Sequence, residues 1–173
     1  SDLFDARYAN RADWRSGIGE SIHCLYALVR TLRPETVVEI GSARGRSTCA
    51  MALACKENGR GMVYAIDPHI PNAWSDGSAE IATLDFLNAR LKQYKLQSHC
   101  AVVRERSFDA AKQWNKPIDF LLIDGDHTYE GVKADWDLFN AHLTENALVA
   151  IHDTLWDRMG KDHKDRRPDI GVP

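Results

Sequence analysis

Thr36-Val37-Val38-Glu39-Ile40-Gly41-Ser42-Ala43-Arg44-Gly45-Arg46-Ser47-Thr48 is the stretch that decides how this chain folds. A short apolar run that breaks at glycine reads as a buried strand of a parallel sheet. Gly41 and Gly45, four apart, allow a sharp turn and let a ligand approach backbone that no Cβ covers. The helix that follows would point its unpaired N–H groups and the positive end of its dipole at that ligand. The stretch is built like a nucleotide-type pocket.

Outward from this turn the chain alternates between two periodicities. On its N-terminal side, Ile18, Ile22, Leu25, Val29 and Leu32 repeat at helical spacing from Gly17 to Leu32, and Pro34 stops the helix. On its C-terminal side the helix runs to about Glu57 and breaks at Asn58-Gly59-Arg60-Gly61, and a second strand, residues 62–66, ends at Asp67-Pro68. His69 to Gly77, with two prolines and Trp74, reads as a loop. Leu84, Leu87, Leu91 and Tyr94 mark an amphipathic helix. Residues 100–103 form a third strand, leading to Arg106-Ser107-Phe108-Asp109 and a short helix. Residues 118–123 form the clearest strand, ending at Asp124-Gly125-Asp126-His127. Val132, Trp136, Phe139 and Leu143 give the next helix its buried face, and residues 147–151 form a fifth strand ending at His152-Asp153.

Strands alternating with helices at this spacing predict an α/β protein with a parallel sheet, whose ligands bind beyond the carboxyl ends of the strands. Glu39, Asp67, Ser107, Asp124 to His127, and His152-Asp153 all collect at those ends. Residues 1–16 read as a polar extension with Trp14 and Tyr8 as packing points, and residues 157–173 as an irregular charged tail. The whole is expected to be one domain whose sheet lacks its C-terminal strands.

The totals bound the function. The chain has 173 residues, 44% hydrophobic and 27% charged, with a net charge of −3, which gives no reason to expect a nucleic-acid surface. No apolar run reaches the roughly 20 residues of a spanning helix, so no membrane segment is expected. Cys24, Cys49, Cys55 and Cys100 show no CxxC pair or zinc spacing. Cys24 and Cys49 are expected to be buried thiols, in a reducing, cytoplasmic setting.

A dinucleotide-binding turn reads G-x-G-x-x-G, whereas this one reads Glu39-x-Gly41-x-x-x-Gly45. That form resembles motif I of class I S-adenosylmethionine-dependent methyltransferases. Asp119 to Val132, followed by Ala147 to Asp153, is similar to the branch holding metal-dependent small-molecule O-methyltransferases of the catechol and macrolide-sugar kind and relatives named for cephalosporin biosynthesis. The resemblance spans roughly residues 17–155. It implies a Rossmann-like, doubly wound, mostly parallel sheet of class I methyltransferase type, S-adenosylmethionine as cofactor and a small-molecule hydroxyl acceptor. It also implies cofactor contacts from Glu39, Gly41, Ser42, Gly45, Ser47, Asp67, Ser107, Phe108 and Asp124, with Asp67 on the ribose.

By the same resemblance, Asp124, His152 and Asp153 would hold a divalent cation, Mg²⁺ or another, and His127 would be the base that removes the acceptor proton. His152 stands where that branch has a carboxylate or amide. Imidazole is a poor Mg²⁺ ligand and shifts preference toward Mn²⁺, Fe²⁺ or Zn²⁺; Asp126 could replace it, or the site could be metal-free. Bland readings stay beside these: Ser107 suits a helix N-cap, and Asp67 before proline suits a plain turn. An NAD(P)-dependent oxidoreductase on a similar sheet and a non-catalytic cofactor-binding module are the alternatives. Assembly as a homo-oligomer stays open.

Overall fold

The computed structural model describes residues 3, 4, 14, 16–70 and 83–154. Tyr8, Trp74 with the loop beyond Ile70, and the charged segment after Trp156 lie outside the described residues. Five strands, β1 (Thr36–Ile40), β2 (Met62–Ile66), β3 (Cys100–Val103), β4 (Ile118–Ile123) and β5 (Leu143–Ile151), form one parallel sheet in the order β3-β2-β1-β4-β5. The direction of winding reverses between β1 and β4. A crevice for ligands opens at such a reversal, outside the carboxyl ends of the strands.

Helices α1 (Ser21–Leu32), α2 (Arg46–Asn58) and α3 (Thr83–Gln93) cover one face, and α4 (Ser107–Gln113) and α5 (Tyr129–Phe139) the other. The alternation of side chains along each strand produces two cores. Val37, Val63, Ala65, Phe120 and Leu122 join the first three helices, whereas Val38, Ile40, Ile66, Leu121 and Ile123 join α4 and α5. The central strand β1 is buried along its whole length, as a strand covered on both faces must be. Wedged between α1 and the sheet, α2 buries Cys49, Ala50, Met51, Ala52, Ala54 and Cys55, which is why it carries small residues almost all round.

The strand boundaries match the sequence reading except at β5. Leu143, expected on the buried face of α5, opens β5 instead: α5 stops at Phe139, a single 3₁₀ turn follows, and a register irregularity between Ile118 and Phe120 absorbs the longer strand. Trp136, expected on that face too, is 40% exposed. On α1, Cys24 is exposed rather than buried, because the apolar stripe runs through Ile22, Leu25 and Val29 and leaves position 24 on the outer face. Helix α1 begins at Ser21, four residues later than the apolar pattern, although Ile18 is still buried. Trp14 is fully buried, as expected of a packing point. Among the described residues no helix is long and apolar enough to cross a membrane.

Asn58 shows how the helices are pinned. It is buried; its Nδ2 donates to Val29 O at 2.9 Å, its Oδ1 accepts from Arg30 Nη1, and its carbonyl accepts from Arg33 Nη2 at 3.0 Å. Asn58→Ala removes both side-chain bonds; Val29 O keeps its bond from Arg33 N and Arg30 keeps Glu57, so the loss is that of two hydrogen bonds, about 2 kcal/mol. The expected result is a melting temperature lower by about 4–8 °C in a thermal melt.

Candidate functional site

One row of residues closes the sheet: Val103, Ile66, Ile40, Ile123 and Ile151 stand side by side. On four of the five strands the next residue continues the ladder by one hydrogen bond to its neighbour. Gly41 N donates to Ile66 O (2.9 Å), Asp67 N to Val103 O (3.1 Å), Asp124 N to Ile40 O (2.8 Å) and His152 N to Ile123 O (3.0 Å). Backbone pairing thus sets the four positions that sequence reasoning singled out at the strand ends.

On the β1 side, Gly41 takes φ +90° and Gly45 φ +82°. A Cβ on Gly41 would lie 2.1 Å from Asp124 O, and one on Gly45 would lie 2.2 Å from Leu87 Cδ1. The turn therefore needs both glycines, one against the end of β4 and the other against α3. Asp67 braces it: Oδ2 accepts from Ala43 N at 2.8 Å, while Oδ1 accepts from His69 N at 2.7 Å. Each oxygen keeps a further lone pair for a ligand hydroxyl. Buried His69, not expected to matter, sets Nδ1 2.9 Å from Thr83 Oγ1, and burial holds it below its usual pKa.

Glu39 is wholly buried beside this turn. Thr48 Oγ1 donates to its Oε2, but its Oε1 has no partner among the described residues. Burial raises its pKa from 4.5 to about 8, the Ser47 and Thr48 hydroxyls oppose that rise, and the charges of Asp124 and Asp67 add to it. Ser42 and Ser47 are buried too, and Ser42 Oγ has no partner among the described residues. Arg44 is buried with its guanidinium over the Phe86 ring, 4.8 Å from the centroid. Three carboxylates, Glu39, Asp67 and Asp124, therefore influence one small region.

Toward α4, Ser107 is the first helical residue rather than the N-cap, which is Arg106. Ser107 hydrogen-bonds to Asp135, a buried acid that sequence reasoning missed; burial raises the Asp135 pKa and Ser107 opposes the rise. Its signal was legible, since position 135 falls between Val132 and Phe139 on the apolar stripe of α5. Phe108 is 57% exposed, with Lys112 Nζ 4.0 Å from its ring centroid.

At the ends of β4 and β5, Asp124, His127, His152 and Asp153 come together, all largely buried. His152 Nδ1 lies 2.9 Å from Asp124 Oδ1 and 3.2 Å from Asp153 Oδ1. Burial alone would lower the His152 pKa, but Asp124 and then Asp153 outweigh it and the net shift is upward. His127 sets Nε2 3.9 Å from Asp124 Oδ1 and Nδ1 3.4 Å from Asp153 Oδ2. Asp153 itself takes φ +57°, and the turn before α1 reaches the cluster, a Cβ on Gly17 standing 3.9 Å from His152 Cε1. Asp126 faces the other way: Oδ1 accepts from Thr128 N at 3.0 Å, and its side chain packs over Gly131 where α5 begins.

Asp124, His127 and His152 can each bring one donor atom within 4.8 Å of the others. This grouping has His127 in place of the expected Asp153. The donors are two imidazoles and one carboxylate, a set that suits a late first-row metal and does not fit Mg²⁺, which takes oxygen ligands.

Solved structures share the fold. The O-methyltransferase TomG from Streptomyces achromogenes, involved in tomaymycin synthesis and solved with S-adenosylmethionine, superposes with a TM-score of 0.69 at 16% identity, covering 91% of this chain and 67% of that one. An O-methyltransferase from Bacillus cereus, bound to S-adenosylhomocysteine, gives 0.64 at 18% identity, covering 95% and 74%. The Podospora anserina methyltransferase PaMTH1, also bound to S-adenosylhomocysteine, gives 0.66 at 12%, covering 86% and 62%. Against seven such chains, this one spans 58% to 74% of their length. Residues 38–154, more than half of the chain and all of the strand ends described above, match a family model described as a methyltransferase domain, and the chain belongs to that family.

Proposed function

We propose that this protein transfers the methyl group of S-adenosylmethionine to a hydroxyl oxygen of a small molecule, in a reducing, cytoplasmic compartment. The observation that carries this reading is the gathering of Glu39, Asp67 and Asp124 around a two-glycine turn in a methyltransferase-family chain. A dinucleotide would bring its pyrophosphate against these carboxylates. S-adenosylmethionine brings a sulfonium and an ammonium, whose charges they complement.

In this reading the turn admits the methionine part past Gly41, and Glu39 Oε1 accepts from its ammonium. Ser42 and Ser47 lie beside the same part, Asp67 accepts from the ribose hydroxyls, and Ser107 with Phe108 borders the adenine. Transfer is an in-line displacement at carbon, so the chain contributes chiefly alignment of oxygen, methyl carbon and sulfur. The acceptor hydroxyl faces Asp124, His127, His152 and Asp153, and its proton leaves toward them. A divalent cation held there would lower the pKa of that hydroxyl.

Calorimetry of the full chain with S-adenosylhomocysteine tests the reading: one equivalent bound supports it, and no heat at millimolar ligand sinks it. Asp67→Ala removes the ribose acceptor and the brace on Ala43. Affinity is expected to fall about 10–100-fold, as for the loss of one or two hydrogen bonds to a charged group, with the fold retained by circular dichroism.

A further inference from the structure

We propose that His69 is a positioning residue for cofactor binding: it joins Asp67 to the start of α3 and so holds that helix against the glycine turn. The positioning role rests on the function proposed above; the tie between His69 and α3 does not.

The contacts around the turn form a closed circuit. Ala43 N donates to Asp67 Oδ2 at 2.8 Å, and His69 N donates to Oδ1 of the same carboxylate at 2.7 Å. Both donors take left-handed backbone, φ +43° at Ala43 and +52° at His69, so the chain is bent on both sides to reach Asp67. The His69 ring carries the connection onward, with Nδ1 2.9 Å from Thr83 Oγ1 at the first residue of α3. One helical turn later α3 meets the glycine turn again. The Phe86 ring lies under the Arg44 guanidinium, and Leu87 Cδ1 stands against Gly45, where a Cβ would come within 2.2 Å of it.

The position of α3 along its own axis therefore decides whether Leu87 covers Gly45. Leu87 and Leu91 hold the helix to the core by apolar packing, which has no preferred direction. The hydrogen bond at Thr83 is directional, and it fixes where the helix begins. The imidazole suits this task at neutral pH. Its side chain is fully buried, and Nε2 has no hydrogen-bond partner among the described residues. Burial holds the ring below its usual pKa of 6.5; Asp67 opposes this and Arg104, just past β3, adds to it. A proton added to the ring leaves one N–H buried without an acceptor. The tie is whole above about pH 6.5 and is lost as pH falls through the lowered native value.

The test is hydrogen exchange of the ligand-free full chain, read at the Leu87 amide, together with calorimetric titration of S-adenosylhomocysteine. His69→Ala should speed that exchange about tenfold and weaken S-adenosylhomocysteine about tenfold, as for one lost hydrogen bond. His69→Asn should restore both to within about threefold, because Asn tolerates left-handed backbone and sets its amide where Nδ1 stood. Below about pH 6, Leu87 exchange corrected for its intrinsic pH dependence should rise in the wild type and stay level in His69→Asn. Thr83→Val, which removes only the hydroxyl, carries the same expectation should His69→Ala fail to fold. Wild-type exchange at Leu87 in His69→Ala and Thr83→Val, or an Asn variant no better than the Ala variant, would overturn the proposal. So would undiminished S-adenosylhomocysteine affinity in His69→Ala where the wild type binds it. No binding by the wild type removes the cofactor reading, and the positioning role with it, while exchange alone judges the tie.

Discussion

Gly41→Ala is expected to lower the melting temperature by about 10 °C and to remove measurable binding of S-adenosylhomocysteine. At φ +90° a side chain is strained wherever it sits, at about 1–3 kcal/mol. Here the new methyl group would also stand 2.1 Å from Asp124 O and 2.7 Å from Gly125 Cα, and both obstacles are backbone just past the end of β4. Relief requires β1 and β4 to part at their ends, which breaks the Asp124 N to Ile40 O bond and displaces the carboxylate next to it. Together these amount to about 3–5 kcal/mol, which for a chain of this size is roughly 6–20 °C. Gly59→Ala is the control. Its φ of +68° is also left-handed, but nothing lies within 4 Å of the added carbon, so only strain is felt and binding persists. Thermal melts and calorimetry on the two variants separate clash from strain; equal effects would show that the approach of Gly41 to β4 is not what matters.

Glu39→Gln is expected to stabilise the empty protein at pH 8 and to weaken cofactor binding there by about 10–100-fold, the worth of a charge-assisted hydrogen bond. Because burial raises the Glu39 pKa from 4.5 to about 8, the fold favours the uncharged acid. Its contribution to stability is whole below about pH 4.5, declines as pH rises, and is lost by about pH 8, on the order of a few kcal/mol in all. An amide has no such dependence, so the stability curves of variant and wild type should diverge across that window, with the variant higher at the alkaline end. Binding runs in the opposite sense. A ligand ammonium favours the carboxylate, so wild-type affinity should rise with pH by up to about tenfold per unit between about pH 6 and 7.5, with a proton released on binding. The variant should be flat. A flat wild-type profile would remove Glu39 from the ammonium site.

The order of elements and the parallel sheet were legible because each strand is a short apolar run ended by a polar residue, and those endings are the site. The interior of α5 was less legible: Leu143 continues the helical period but serves a strand, since an apolar residue at a helix-to-strand junction satisfies both patterns. Cys24 misled for the opposite reason, because apolar neighbours in sequence do not place a residue on the apolar face. At the site, residue types were readable but partners were not. Nothing in Asp124-Gly125-Asp126-His127 says that Asp126 turns into α5 while His127 turns toward β5; that depends on the capping turn through Thr128 and Gly131.

The amides of Gly41, Asp67, Asp124 and His152 are donors in the same ladder that holds the sheet together. In hydrogen exchange they should be among the slowest in the molecule, opening only when the whole sheet opens. The backbone under the site is then its most rigid part, so a ligand bound there meets a floor that does not adjust to it.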